Sequence, residues 1–256
     1  MNFDLYVGID YSGAATSATP LKNLQVFSCT QGEEPTRVPP PSGVSDQSQD
    51  WTRQQISDWL ISQALGERRV VAGLDHAFSF PLSYFKRHRL TEWNDLLAHV
   101  RKHWPTHVSE HSVKELVTKR APDGDKREFR LTECWTSSAK SVFRFGIPGQ
   151  VGPSTFAGIP WLGHIREVLG SEAQFWPFDG WDLQERKSVI AEVYPSIFHS
   201  RYSSTGRSKD EHDAYSIARW LRESDERGIL DRYFNPPLTP DEKAIAEREG
   251  WILGIC

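Results

Sequence analysis

Leu5-Tyr6-Val7-Gly8-Ile9-Asp10 and Val70-Val71-Ala72-Gly73-Leu74-Asp75 are two apolar runs of the same form, each closed by an aspartate. A short run rich in β-branched residues, without polar alternation, reads as a strand buried on both faces. The first such strand is expected over residues 3–10. Between the two runs, residues 51–65 place Ile56, Trp59, Leu60 and Ala64 at helical spacing and stop at Gly66. Strand, helix and strand in this order form a βαβ crossover, which implies that the flanking strands are parallel.

Outward from this unit, Tyr11-Ser12-Gly13-Ala14 reads as a turn, Leu24–Thr30 as a second strand, and Arg37-Val38 as a short third one before the breaker Pro39-Pro40-Pro41-Ser42-Gly43. Helices are expected over Leu90–Trp104, ending at Pro105, and over Trp161–Leu169. Residues 119–158 are polar and irregular. Ser188–Val193 reads as the fifth strand. Ser208-Lys209-Asp210-Glu211 is a capping box, and the helix it opens would bury Ala214, Ile217, Ala218 and Leu221. Pro240–Glu249 is a last helix, followed by the apolar Gly250-Trp251-Ile252-Leu253-Gly254. The expected architecture is α/β: one domain over 1–256, a five-stranded mixed sheet flanked by helices, and an inserted region at about 105–160.

Composition narrows the function classes. The chain has 256 residues and a net charge of -4, which is not the footprint of a protein that coats nucleic acid. Its local basic clusters, such as Lys126, Arg127 and Arg130, read as solvated faces. No apolar stretch approaches the ~20 residues of a membrane helix. The start lacks the pattern of a signal peptide. The three cysteines, Cys29, Cys134 and Cys256, are scattered and without CxxC spacing, so a reducing cytoplasm is the expected location.

The chemistry lies in the acids. Asp10 and Asp75 end their strands, Glu192 sits late in the fifth, and Asp213 lies in the first turns of the late helix with Asp210 one turn before it. Neighbouring strands would bring these carboxylates to one crevice at their carboxyl ends. Buried carboxylates are costly to keep charged unless a cation joins them, and an all-oxygen set suits Mg²⁺ or Mn²⁺. Asp10 on the central strand would be the shared ligand, flanked by Asp75 and Glu192 and closed by Asp213, with Asp210 leaning in from i-3. Such a site can hydrolyse a phosphodiester in line, which makes DNA or RNA the expected substrate. Each acid also has a plainer role: Glu192 would pair with an arginine such as Arg201, and Asp210 would complement the helix dipole. Ser12, Arg120, Lys140 and Arg144 are candidates for contacting substrate phosphate, Lys140 and Arg144 as an i, i+4 pair if that stretch is helical. His99, His103, His107 and His111 recur every fourth residue and read as a solvent-facing stripe rather than a zinc site, because Pro105 interrupts them.

Val7-Gly8-Ile9-Asp10 with Ser12-Gly13, Gly73-Leu74-Asp75 with Phe80-Pro81, Glu192-Val193-Tyr194-Pro195, Asp210-Glu211-His212-Asp213-Ala214 and Glu249-Gly250-Trp251-Ile252-Leu253-Gly254 together resemble the family called domain of unknown function 429, predicted nucleases with an RNase H-like fold. The resemblance runs from residue 7 to residue 254. It implies the strand order 3-2-1-4-5 and acidic metal ligands at Asp10, Asp75, Glu192 and Asp213. Asp75-His76-Ala77-Phe78 departs from the simpler segment that follows the second acid in that family. Two alternatives stay open. Gly8-Ile9-Asp10-Tyr11-Ser12-Gly13 also looks like the phosphate turn of actin-like ATPases and kinases, although the chain is short for their paired domains. A non-catalytic binding module on the same fold is the other.

Overall fold

The computed structural model describes residues 3–41, 49–108, 110–119, 122–136, 138–145 and 151–256. The strands β1 (Leu5–Asp10), β2 (Gln25–Cys29), β3 (Thr36–Arg37), β4 (Val70–Asp75), β5 (Ala173–Trp176) and β6 (Ser188–Glu192) form one sheet in the order β3-β2-β1-β4-β6-β5. β2 is antiparallel to both β1 and β3, whereas β1, β4, β6 and β5 run parallel. The sheet is therefore mixed, as expected, but six-stranded rather than five-stranded. The expected fifth strand is β6, and β5 adds an edge beyond it. β5 is four residues, Ala173-Gln174-Phe175-Trp176, with a polar residue inside and Pro177 after it. Its Gln174 is buried because its amide nitrogen donates to the carbonyls of Gly180 and Asp182, and its amide oxygen accepts from the Gln184 amide.

Helices cover both faces. On one face, α1 (Arg53–Ala64), α2 (Leu82–His88), α3 (Trp93–His103) and α6 (Val151–Leu169) pack over Leu5, Val7, Ile9, Val70, Ala72, Leu74 and Ile190. On the other, α7 (Lys209–Glu226) lays Ala214, Ile217, Ala218 and Leu221 over Tyr6, Val71, Val189 and Ala191. Alternate residues of each strand feed opposite cores, which is the period-two rule at work on a sheet buried on both sides. Each fully buried Leu, Ile or Val contributes roughly 1.5–3 kcal/mol, so the two cores hold the layers together. The short helices α4 (Val113–Lys119), α5 (Leu131–Cys134) and α8 (Leu230–Phe234) and the surface helix α9 (Pro240–Glu249) complete the molecule. No helix among the described residues is long and apolar enough to cross a membrane.

Local signals account for most helix starts. Thr52, Ser208 and Thr239 cap α1, α7 and α9, each in a capping box with the residue three positions on. α6 departs from the local pattern: it runs 19 residues through Pro160 where the sequence predicts a helix only from Trp161. A proline inside a helix costs about 3 kcal/mol. Near-complete burial of the helix, from Phe156 through Gly163, outweighs that local cost.

Two glycines set the distance between α7 and the sheet. Gly8 and Gly73 are register partners on β1 and β4. A Cβ on Gly8 would stand 2.1 Å from the Ala214 carbonyl oxygen, and one on Gly73 would stand 2.7 Å from Ile217 Cγ2. Only glycine lets the helix backbone come this close. Asp213 immediately precedes Ala214, so the same contact brings it to the ends of the two strands.

Candidate functional site

β1 and β4 are in register from Leu5↔Val70 to Asp10↔Asp75, so the two terminal aspartates lie side by side on one face. α7 covers that face and adds Asp213. One carboxylate oxygen from each of Asp10, Asp75 and Asp213 lies within 4.8 Å of the others. This is the one such group of metal-capable side chains among the described residues. The three acids border a cavity of about 550 Å³, together with Ser12, Lys140, Glu192, Lys209 and Asp210.

The electrostatics are those of crowded like charges. Burial, then the charges of Asp75, Asp210 and Asp213, push the Asp10 carboxyl well above its ordinary range, against the pull of Lys209. Burial, then Asp213 and Glu192, push Asp75 up to about 8, although a hydrogen bond shared with Asp10 and the Lys209 ammonium oppose the rise. Asp210 is also raised, chiefly by burial. Asp213 has a partner of its own, with His199 Nδ1 2.8 Å from its Oδ1. His212 Nε2 donates to the His199 carbonyl at 3.1 Å and fixes the loop that carries that imidazole.

Glu192 stands apart from the group. Its register partner is Leu74, not Asp75. Side chains alternate along a strand, so Glu192 belongs to the face opposite the Asp10–Asp75 pair. There Arg130 Nη2 and Nη1 donate to its two carboxylate oxygens at 2.5 and 2.7 Å, and the Phe78 amide adds a third bond at 3.0 Å. The arginine partner anticipated for this residue exists, but it is Arg130 rather than Arg201. Arg130 is 1% exposed, which corrects its assignment to a solvated basic face. It also donates to Glu133 at 2.9 Å and to the Glu249 carbonyl at 3.1 Å. Burial alone works against its charge, but Glu192 and Glu133 hold its pKa above the ordinary arginine value.

The other sequence candidates divide. Asp210 and Lys140 line the cavity, and so does Ser12, whose Oγ accepts from the Ala14 amide at 3.3 Å. Arg144 does not line it, and residues 140–144 are not helical. Ser141 instead turns the chain, its Oγ accepting from the Phe143 amide and its carbonyl from the Arg144 amide. Arg120 lies outside the described residues. His99 and His103 are half-buried rather than solvent-facing, with ring centroids 4.5 Å apart, and Tyr84 Oη lies 3.0 Å from His99 Nε2. Sequence reasoning missed Arg130, His199, Lys209 and His76. Lys209 carried a signal as the residue after the N-cap of the acidic helix, and His76 as the departure from the resembled segment after the second acid. Burial holds the His76 imidazole down to about 4, so it is neutral at the back of the cavity.

No protein-family model, no curated protein and no solved structure matches this chain.

Proposed function

We propose that this protein is a divalent-metal-dependent phosphodiesterase acting on DNA or RNA, built on an RNase H-like sheet and related to the family it resembles. The observation that carries the proposal is the convergence of Asp10, Asp75 and Asp213 within 4.8 Å in an open cavity. Three crowded carboxylates, two with raised proton affinity, are stable only with protons or a cation among them. Their donors are all hard oxygens, which fits Mg²⁺ or Mn²⁺ and not a softer ion. A bound divalent ion supplies Lewis-acid polarisation of a phosphodiester and activation of a water.

The chain's own residues do the rest. Asp10 and Asp75, fixed by strand register, and Asp213, fixed by the helix that rests on Gly8, hold the ion. Asp210 offers a fourth carboxylate on the same wall. Lys140 and Lys209 attract the substrate phosphate to a cavity that would otherwise repel it. His199 orients Asp213 from behind. Glu192, engaged by Arg130, acts as a wall and not as a ligand. The antiparallel β3-β2-β1 arm joined to parallel β4 and β6 supports an RNase H-like arrangement, with β5 as an additional edge.

The test is cleavage of labelled single- and double-stranded DNA and RNA with Mn²⁺ or Mg²⁺, compared with Asp10→Asn. Activity should need the ion and vanish in the variant, and calorimetric titration of Mn²⁺ should lose its heat in parallel. Metal-dependent cleavage undiminished in Asp10→Asn would refute the proposal.

A further inference from the structure

Behind the carboxylates lies a second, much smaller cavity of about 10 Å³, lined by residues of α1, α6, the end of β4 and Tyr11. Tyr11 and His76 line both cavities and form the partition between them. Tyr11 Oη, Arg53 Nε, Ser57 Oγ, His76 Nε2 and Trp161 Nε1 are buried polar atoms on its lining residues, and none has a protein partner among the described residues. Their residues are at most 7% exposed. Leaving even one such group dry is costly, because its hydration is lost with nothing in exchange. A guest that both donates and accepts in this one small space would give several of them a partner.

The volume and the donor pattern identify that partner. About 10 Å³ is the space one water needs, and a buried water is held by two to four polar groups. Arg53 Nε–H and Trp161 Nε1–H can only donate. His76 Nδ1 lies 2.9 Å from the Ala77 carbonyl oxygen, which can only accept. The imidazole proton therefore sits on Nδ1 and leaves Nε2 as a bare acceptor. A halide would satisfy the donors but not Nε2. Water satisfies both, and the hydroxyls of Tyr11 and Ser57 take either role. Gly158 keeps the space open, since a Cβ there would stand 2.5 Å from His76 Nε2.

We infer that this cavity is a built site for one ordered water that accepts from Arg53 or Trp161 and donates to His76 Nε2. The site joins two parts of the acidic centre from beneath. Arg53 also donates to the Ser12, Ala14 and Ala15 carbonyls at 3.1, 2.6 and 3.1 Å, and so fastens the loop that follows Asp10. His76 follows Asp75. The water thus links the two strand ends through α1, whether or not the carboxylates bind an ion.

The test is a crystal structure of the wild-type protein at a resolution that shows ordered solvent, with a second crystal soaked in bromide. A water peak within hydrogen-bond reach of His76 Nε2 and of Arg53 Nε or Trp161 Nε1 is expected, with no anomalous bromide signal there. An empty cavity, or bromide in it, would overturn the inference. Ser57→Val gives an independent reading, because serine and valine differ little in helix propensity. If the site is wet, the added methyl displaces the water and the melting temperature falls; if the cavity is dry, filling it raises the melting temperature and the inference fails.

Discussion

Asp75→Asn should stabilise the metal-free protein while destroying its capacity to bind a divalent ion. The Asp75 carboxyl is raised from 3.8 to about 8 in the folded chain, mainly by burial and then by Asp213 and Glu192. Between those values the folded state holds a proton that the unfolded state has released, so stability falls as pH rises across the window. At 1.36 kcal/mol per pH unit the ceiling is about 6 kcal/mol. Asp10, raised beside it, competes for the same protons, which brings the expectation to about 3 kcal/mol. For a chain of this size that is a change of roughly 6–12 °C in melting temperature. The assay is thermal unfolding in EDTA from pH 5 to pH 8.5. The wild-type melting temperature should fall steadily with rising pH, whereas Asp75→Asn should be flatter and should melt higher at pH 8. Mn²⁺ at about 1,000 times its dissociation constant should reverse the order, because it adds about 4.1 kcal/mol to the wild type alone. A wild-type melting temperature indifferent to pH in EDTA, or an Asp75→Asn variant that melts lower at pH 8, would refute the account of crowded, cation-seeking carboxylates.

Three further outcomes follow from the geometry. Arg130→Leu leaves Glu192 and Glu133 as buried charges without their counter-charge, and should cost about 3–5 kcal/mol in urea unfolding. Gly8→Ala drives a methyl against the Ala214 carbonyl and should cost about 1–3 kcal/mol or more; because the shift moves Asp213, Mn²⁺ affinity measured by calorimetry should fall with it. His199→Ala removes the group that orients Asp213 and should weaken Mn²⁺ binding by about 10–100-fold, with the far-ultraviolet circular dichroism unchanged.

The parts legible in the sequence are those that local physics decides. Two apolar runs ending in aspartate identify β1 and β4, and the helical spacing between them makes the pair parallel, which puts both aspartates at the same end of the sheet; the register that sets them side by side belongs to the tertiary structure. The capping box at Ser208 fixes the start of α7 and therefore the level of Asp213 along it. Glu192 shows the limit. Its strand is legible, but a shift of one residue in register sends a side chain to the other face, and no local pattern reports the register of β6 on β4. Arg130 reads as a surface residue because its burial depends on carboxylates 3 and 62 positions away and on a backbone carbonyl 119 positions away. The helix through Pro160 and the short strand at Gln174 are set by burial against distant partners and run counter to local propensity. The sequence by itself determined which acids end which elements. The tertiary structure alone decided which face each occupies and which meets an arginine instead of the other acids, because facing and pairing are long-range properties of strand register and helix packing.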